Sequence, residues 1–379
     1  MILNAILGIF ACLSVVLLLW QWLAAARFPL HRRVATENFR PPVTLFKPLK
    51  GCDAATENCL RSWFAQKYAG AMQFLFAVAS ANDPVFAVVE KLMREFPASD
   101  ARLIVCGALA GANAKVSKLA ELEKLAKHDV FVISDADVRV PPDFLANAVA
   151  DLEKSGIGLV NCFYRLANPT TLAMEWEAIA INADFWSQVL QSKSLKPLDF
   201  ALGAVMVTRR KQLAEIGGFN ALADCLADDY QLGNRIARKG FRIALCPVVV
   251  ECWDSPMSWR AVWKHQLRWA RTIRVCQPAP YFFSVLSNPT LWPLVWLAAK
   301  PNRISLAFFL GALACRIFSA LNLQHRLTRS WAHGKFFWLA PVKDLLQVLI
   351  WLGAFAGNQI EWRGRKYRLR RDGSLEIRA

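Results

Sequence analysis

The chain is 379 residues long and 55% hydrophobic, with 15 Trp and 24 Phe, against about 45–50% apolar residues in ordinary soluble domains. That excess argues against a purely soluble protein and leaves room for one large catalytic domain plus membrane segments. The formal net charge of +17 suits either nucleic acid or anionic headgroups and phosphate-bearing substrates; the basic residues lie beside apolar spans and no nucleic-acid motif occurs, so no nucleic-acid partner is expected.

In chain order, residues 3–26 are almost wholly apolar, broken by Asn4, Ser14 and Gln21. At about 20 residues per crossing the stretch can span a bilayer, and residues 1–27 read as an N-terminal transmembrane anchor. A cleaved signal peptide would have a shorter apolar core and a small-residue cleavage site. Arg27, Arg32 and Arg33 follow, which predicts a cytoplasmic location for what comes next. From residue 43 short apolar runs alternate with helical periods. Strands are expected at 43–49, 74–79, 103–106, 130–134 and 158–163, and helices at 56–66, 84–96 and 114–127. Such alternation implies a mostly parallel sheet with helices on both faces, here one α/β domain over 40–255. Residues 187–196 are polar and harder to read. Residues 202–208 fit a strand, 211–217 a short helix closed by Gly217-Gly218, and 230–239 a helix ended by Gly240. Ten cysteines form no C-x-x-C pair or zinc-spaced ladder and read as reduced small hydrophobes.

The acidic residues carry the chemistry. The run Val130-Phe131-Val132-Ile133-Ser134 ends in Asp135-Ala136-Asp137. At a strand end, residues i and i+2 point the same way, so Asp135 and Asp137 can offer two hard oxygens to one divalent cation, Mg²⁺ being typically held by one or two carboxylates plus substrate phosphates. The plainer alternative is a turn cap beside a solvated acid. Asp53 and Asp83 also fall just after strands, the edge at which such sheets bind ligands. Asp228 and Asp229 open the helix near 230. One carboxylate is enough for an N-cap, and a second at close range raises its neighbour's pKa.

Residues 256–277 form an amphipathic, strongly basic segment in which Trp259, Trp263 and Trp269 interleave with Arg260, Lys264, Arg268, Arg271 and Arg274. It suits a helix lying in a membrane interface. Within 285–357, membrane segments are expected near 289–299, 304–323 and 336–356. The last carries Lys343 and Asp344, either an adjacent neutralised pair or a functional one. Residues 358–379 form a basic tail with Arg363, Arg365, Lys366, Arg368, Arg370 and Arg371, so they should be cytoplasmic. One N-terminal and about three C-terminal crossings would put that tail outside, unless one segment is re-entrant or interfacial.

Taken in order, Asp53 in Lys47-Pro48-Leu49-Lys50-Gly51-Cys52-Asp53, Asp135-Ala136-Asp137, Asp229 and Gln266-Leu267-Arg268-Trp269 resemble the D, D-x-D, D, Q-x-x-R-W pattern of membrane inverting glycosyltransferases of the family 2 type. The Lys-Pro-Leu-Lys-Gly opening and the closing Trp362-Arg363-Gly364-Arg365-Lys366-Tyr367-Arg368-Leu369 resemble the ceramide glucosyltransferases (family 21 type). The resemblance implies a GT-A type, Rossmann-like cytoplasmic domain in a multi-pass membrane protein, at the inner or cell membrane if bacterial. Its donor would be a UDP-sugar, its acceptor a membrane lipid, its surroundings the lipid bilayer, and its cofactor a divalent metal, Mg²⁺ or Mn²⁺. It implies that Asp53, Asp83 and Lys115 face the nucleotide and that Asp135 and Asp137 reach the diphosphate, Asp137 through the metal. Asp229, with Asp228 beside it, would be the general base; Gln266, Arg268 and Trp269 would border the donor pyrophosphate and the acceptor's entry. The product would be a β-glycolipid carrying one hexose. Asp228-Asp229 stands where Glu-Asp is commoner. Asp-Ala-Asp stands where animal ceramide enzymes have Asp-Ser-Gly, and their His-Pro is absent around Asn182-Ala183-Asp184. These departures lean towards the bacterial branch associated with hopanoids, where N-acetylglucosamine is implied as the sugar. The alternatives are a processive polysaccharide synthase, which needs more crossings, and a non-catalytic transporter or lipid-binding protein, for which no internal repeat is present.

Overall fold

The computed structural model describes residues 2–35, 38–107, 111–362, 365–370 and 372–377; Arg363, Gly364 and Arg371 of the expected basic tail lie outside them. The chain divides into two compact units. One, the helical unit, comprises Met1–Pro29, Pro169–Lys196 and Pro256–Asp372; the other, the sheet unit, comprises Leu30–Asn168, Pro197–Ser255 and Gly373–Ala379.

The sheet unit is built on eight strands among the described residues: β1 (Val43–Pro48), β2 (Met72–Val78), β3 (Asp100–Val105), β4 (Val130–Ser134), β5 (Val138–Arg139), β6 (Ile157–Leu166), β7 (Val205–Arg209) and β8 (Arg242–Cys252). Their order is β3-β2-β1-β4-β7-β6-β8-β5. The pairs β1/β2, β2/β3, β1/β4 and β6/β8 are parallel, whereas β7 and β5 run against their neighbours. Six strands therefore share one direction, as the alternating pattern predicts. Every residue of β1 and β4 is buried. Most of their residues are apolar, as where helices cover both faces of a parallel sheet, though β1 also buries Thr44 and Lys47. One face packs Leu45, Phe74, Val132, Val160 and Val207 into a single core. On the other, Phe46 lies 5.0 Å from Phe131 and 5.9 Å from Phe219, centroid to centroid.

Several elements differ from the sequence expectation. Strand β8 has no counterpart in it, since Pro247 in the middle of its run reads against a strand. Residues 187–195 are helical, within Trp186–Leu195; the helix buries Trp186, Ser187, Val189 and Leu190, and its polar residues hide that face.

In the helical unit, Ile2–Arg27 and Arg303–Thr328 are each 26 residues and long and apolar enough to cross a membrane. Two polar interruptions of the first are satisfied: Trp296 Nε1 donates to Asn4 Oδ1 at 2.9 Å and Ser14 Oγ to the Ala11 carbonyl at 2.8 Å. Such pairing is what an apolar medium demands. The other expected segments differ. Leu291–Ala299 has nine residues, and with Pro278–Ser287 makes a pair bent by 55° that counts as at most one broken span or a re-entrant loop. Leu339–Phe355 has 17 residues and carries Lys343 and Asp344. Those two do not neutralise one another, since successive helical residues face different ways. Lys343 pairs with Asp184 at 2.7 Å and Asp344 with Arg316 at 2.8 Å, while Arg316 also binds Asp184 at 2.9 Å. Thr290 Oγ1 donates to Asp344 Oδ2 at 2.7 Å. The result is a buried network of two acids and two bases.

Candidate active site

The carboxyl ends of β1, β2 and β4 carry the acids expected there, and each is held by a local device. Asp53 Oδ1 accepts from the amides of Ala55 and Thr56 at 3.0 and 2.9 Å and from Thr56 Oγ1 at 2.7 Å, and Oδ2 accepts from Ser255 Oγ at 3.1 Å. Burial raises its pKa, but these hydrogen bonds outweigh burial and hold it below the ordinary value. Asp83 accepts the Gly51 amide at 2.9 Å and the Val85 amide at 3.1 Å. It thereby ties the loop after β1 to the helix Val85–Glu95. Gly51 takes a φ of 73° in that loop, a conformation that favours glycine.

Beyond β4, the Asp135 amide donates to the Ala204 carbonyl at 3.3 Å. Lys47, on β1 and fully buried, donates to Ser134 Oγ at 2.9 Å and to the Asp135 carbonyl at 2.6 Å. Burial lowers the Lys47 pKa to about 7, against the opposing pull of Asp137. Asp137 has the reverse problem: burial, then Asp135 and Asp254, push its carboxyl up to about 7.

Lys115 joins the two acidic motifs. Its Nζ lies 2.8 Å from Asp135 Oδ1 and 3.1 Å from Asp228 Oδ2. Burial works against its charge, but Asp135 and Asp228 outweigh it and keep the pKa above the usual lysine value. Asn113 caps the helix Ala114–Lys124, accepting from the Lys115 and Val116 amides at 3.0 and 3.3 Å. This fixes where the lysine starts. Asp228 and Asp229 stand in the first turn of Asp228–Arg238. Burial, then the charge of Asp228, raise Asp229 to about 6, with Lys115 pulling the other way. Gly203 makes room for it: a Cβ there would stand 2.8 Å from Asp229 Oδ2. Sequence reasoning singled out neither Lys47 nor Gly203 for the site. Lys47 stood in the quoted opening motif, but nothing in the sequence says that its amine turns to β4.

These residues form one constellation in the sheet unit: a buried lysine between two acidic motifs, a half-buried acid with a raised pKa, and a second pair of carboxylates beyond β4. Asp135 and Asp137 supply hard carboxylate oxygens at one strand end, a donor set that fits a divalent cation. Among the described residues no group of three His, Cys, Asp or Glu side chains is placed to hold a metal alone.

Gln266, Arg268 and Trp269 belong to the helical unit, on Trp259–Cys276. Gln266 is buried and its Nε2 donates to Glu177 Oε1 at 2.8 Å; His265 Nδ1 lies 2.7 Å from the same oxygen. The His265 ring meets Trp269 edge-on, centroids 4.5 Å apart. Glu177 is fully buried, and the sequence offered no sign of its part: it sits in a helix, Leu172–Ile179, that the apolar pattern did not mark.

Comparison with known proteins agrees with this architecture. The mannosyltransferase PcManGT from Pyrobaculum calidifontis, solved with GDP-Man and Mn²⁺, superposes with a TM-score of 0.56 at 20% identity, over 91% of this chain and 99% of that one. The fold is thus GT-A-like. Ceramide glucosyltransferase 3 of Caenorhabditis elegans is 22% identical over 93% of this chain and 78% of its own length. Ceramide glucosyltransferase of Komagataella phaffii is 36% identical over 30% of this chain and 23% of its own. An N-acetylglucosaminyltransferase of Bradyrhizobium diazoefficiens is 25% identical over 57% of this chain and 45% of its own. Residues 5–375 match glycosyl transferase family 21, and since that match spans both units and every acidic motif described above, the chain belongs to this family of glycosyltransferases.

Proposed function

We propose that the protein is an inverting glycosyltransferase that moves one hexose, glucose or N-acetylglucosamine, from a UDP-sugar to a hydroxyl of a membrane lipid, a ceramide or a hopanoid polyol, giving a β-glycolipid. The observation that carries this is Asp229. It is a carboxylate with a pKa of about 6, set one residue from an acid that is ion-paired to Lys115. A base of that strength is mostly deprotonated at neutral pH yet can take a hydroxyl proton as attack proceeds. Attack from the side opposite the leaving diphosphate inverts the anomeric carbon. Lys115 holds Asp135 and Asp228 in register and adds positive charge near the diphosphate. Asp53 and Asp83 shape the loops after β1 and β2 on which the uridine would rest. Asp135 and Asp137 would hold Mg²⁺ or Mn²⁺ together with the donor's diphosphate oxygens. When bound, that ion neutralises charge developing on the leaving group.

An even number of C-terminal crossings fits the tail. The amide of Leu375 donates to the Asp224 carbonyl at 2.7 Å, which supports residues 373–377 and Asp224 being on one side of the membrane. The bent pair counted as one span, together with Arg303–Thr328, makes two crossings, a number that fits a basic cytoplasmic tail.

The test is direct. The purified protein is incubated with a UDP-sugar and ceramide or a hopanoid polyol, and UDP release and lipid mass are followed. A mass gain of one hexose or one N-acetylhexosamine, with a β linkage, is expected. UDP release unchanged by any lipid, or repeated sugar addition, refutes the proposal.

A further inference from the structure

The loop Ala223–Leu226, which leads into Asp228 and Asp229, is held from two sides. On one side lies the loop before Lys115. The Asn113 amide donates to the Ala223 carbonyl at 2.8 Å, Asn113 Nδ2 donates to the Cys225 carbonyl at 2.8 Å, and the Ala112 amide donates to Asp224 Oδ1 at 2.9 Å. On the other lies a segment from beyond the membrane helices. The Leu375 amide donates to the Asp224 carbonyl at 2.7 Å, the Leu226 amide donates to the Gly373 carbonyl at 3.3 Å, and Cys225 and Ser374 form an antiparallel bridge. Leu375 is buried. Gly373 has a φ of 85°, and a Cβ there would come within 3.3 Å of Gln231 Nε2, so this crossing point favours glycine.

We infer that residues 373–377 are a positioning strap: paired to Asp224–Leu226, they fix the loop that aims Asp229 and receives the Asn113 cap, and so set the geometry of the base relative to Lys115. This rests on the proposed role of Asp229. The physical argument is one of precision. A loop anchored on one edge can pivot, whereas backbone bonds on both edges leave its exit direction determined. Misplacement of a catalytic group by about 1 Å can cost about 100-fold in rate. The strap touches no reacting atom; it acts through the loop. Leu375 supplies the burial that keeps it seated, and Gly373 the turn that lets it start.

Four detergent-purified proteins test this: a chain truncated after Asp372 and the full-length variants Gly373→Val, Leu375→Asp and Leu375→Met. Amide hydrogen exchange is read without lipid, and kcat and donor KM from UDP release with lipid. The truncation, Gly373→Val and Leu375→Asp should each speed exchange across 224–231 at least tenfold and lower kcat at least tenfold. The donor KM should stay within threefold, and Leu375→Met should retain both properties. Should the truncated chain not fold, Gly373→Val alone decides the matter. Unchanged exchange and kcat in that variant overturn the strap; so does a loss of protection spread equally over β1 and β2, which would mark a general structural role. A wild type with 224–231 protected but no sugar transfer to lipid overturns the proposed function instead. A wild type that transfers sugar with 224–231 unprotected overturns the strap alone.

Discussion

Replacing Lys115 with Met isolates the electrostatics of the site. The substitution keeps most of the side-chain volume and removes one charge, 92% hidden from solvent by an 8% exposure, that lies 2.8 Å from Asp135 and 3.1 Å from Asp228. Breaking a buried ion pair by removing one partner costs about 3–5 kcal/mol, because the other charge is left uncompensated. For a unit of this size, about 2–4 °C of Tm is lost per kcal/mol, so a fall of roughly 6–20 °C is expected at pH 8. The pH dependence gives the sharper test. Without the lysine the folded-state pKa of Asp229, which burial and Asp228 already raise while Lys115 pulls it down, rises further above its unfolded value. A raised carboxylate pKa destabilises the fold above that pKa and ceases to do so as protonation proceeds below it. The Tm deficit should therefore shrink between pH 8 and pH 5. Differential scanning fluorimetry in detergent across that range measures it. A deficit under about 2 °C at pH 8, or one that does not change with pH, would refute the reasoning that Lys115 is the charge holding these acids together.

Asp229→Asn should lower sugar transfer by about 100- to 10,000-fold, the range of a general base, with UDP-sugar affinity by calorimetry largely kept. In the unmodified protein kcat should fall as pH drops through about 6, since protonation removes the base; stopped-assay profiles should show that limb and the Asn variant should lack it. Gly203→Ala places a Cβ 2.8 Å from Asp229 Oδ2, so kcat should drop at least tenfold while Tm changes by only a few degrees. Arg316→Met leaves Asp184 and Asp344 buried without their shared cation and should cost about 3–5 kcal/mol, read as a lower Tm in detergent. Adding Asp344→Asn should restore part of it. Glu177→Ala should reduce transfer much more than Glu177→Gln, because the amide oxygen can still accept from Gln266; equal losses would remove Glu177 from any role in placing the signature helix.

Much of this protein was determined by local pattern. The largely apolar stretches 43–48 and 130–134 make buried parallel strands where helices cover both faces. The 26-residue helix Ile2–Arg27 is legible because a bilayer crossing needs only length and apolarity. Asp53, Asp83 and Asp135 fall at strand ends because strand length alone places them there. The rest depended on pairings between residues distant in sequence. No local signal tells that Lys115 turns to Asp135 and Asp228, that Gly203 yields space to Asp229, or that Lys343 and Asp344 find separate partners in Asp184 and Arg316. Strand β8 is not legible because Pro247 breaks its run, whereas its place between β6 and β5 is set by hydrogen bonds to strands far away in the chain. The number of crossings is likewise not fixed by apolarity: a hydrophobic segment reports its own affinity for lipid and nothing about which side its far end must reach. Only the tertiary structure pairs Leu375 with Asp224, since backbone partners across a long loop are chosen by the folded shape and leave no mark on composition.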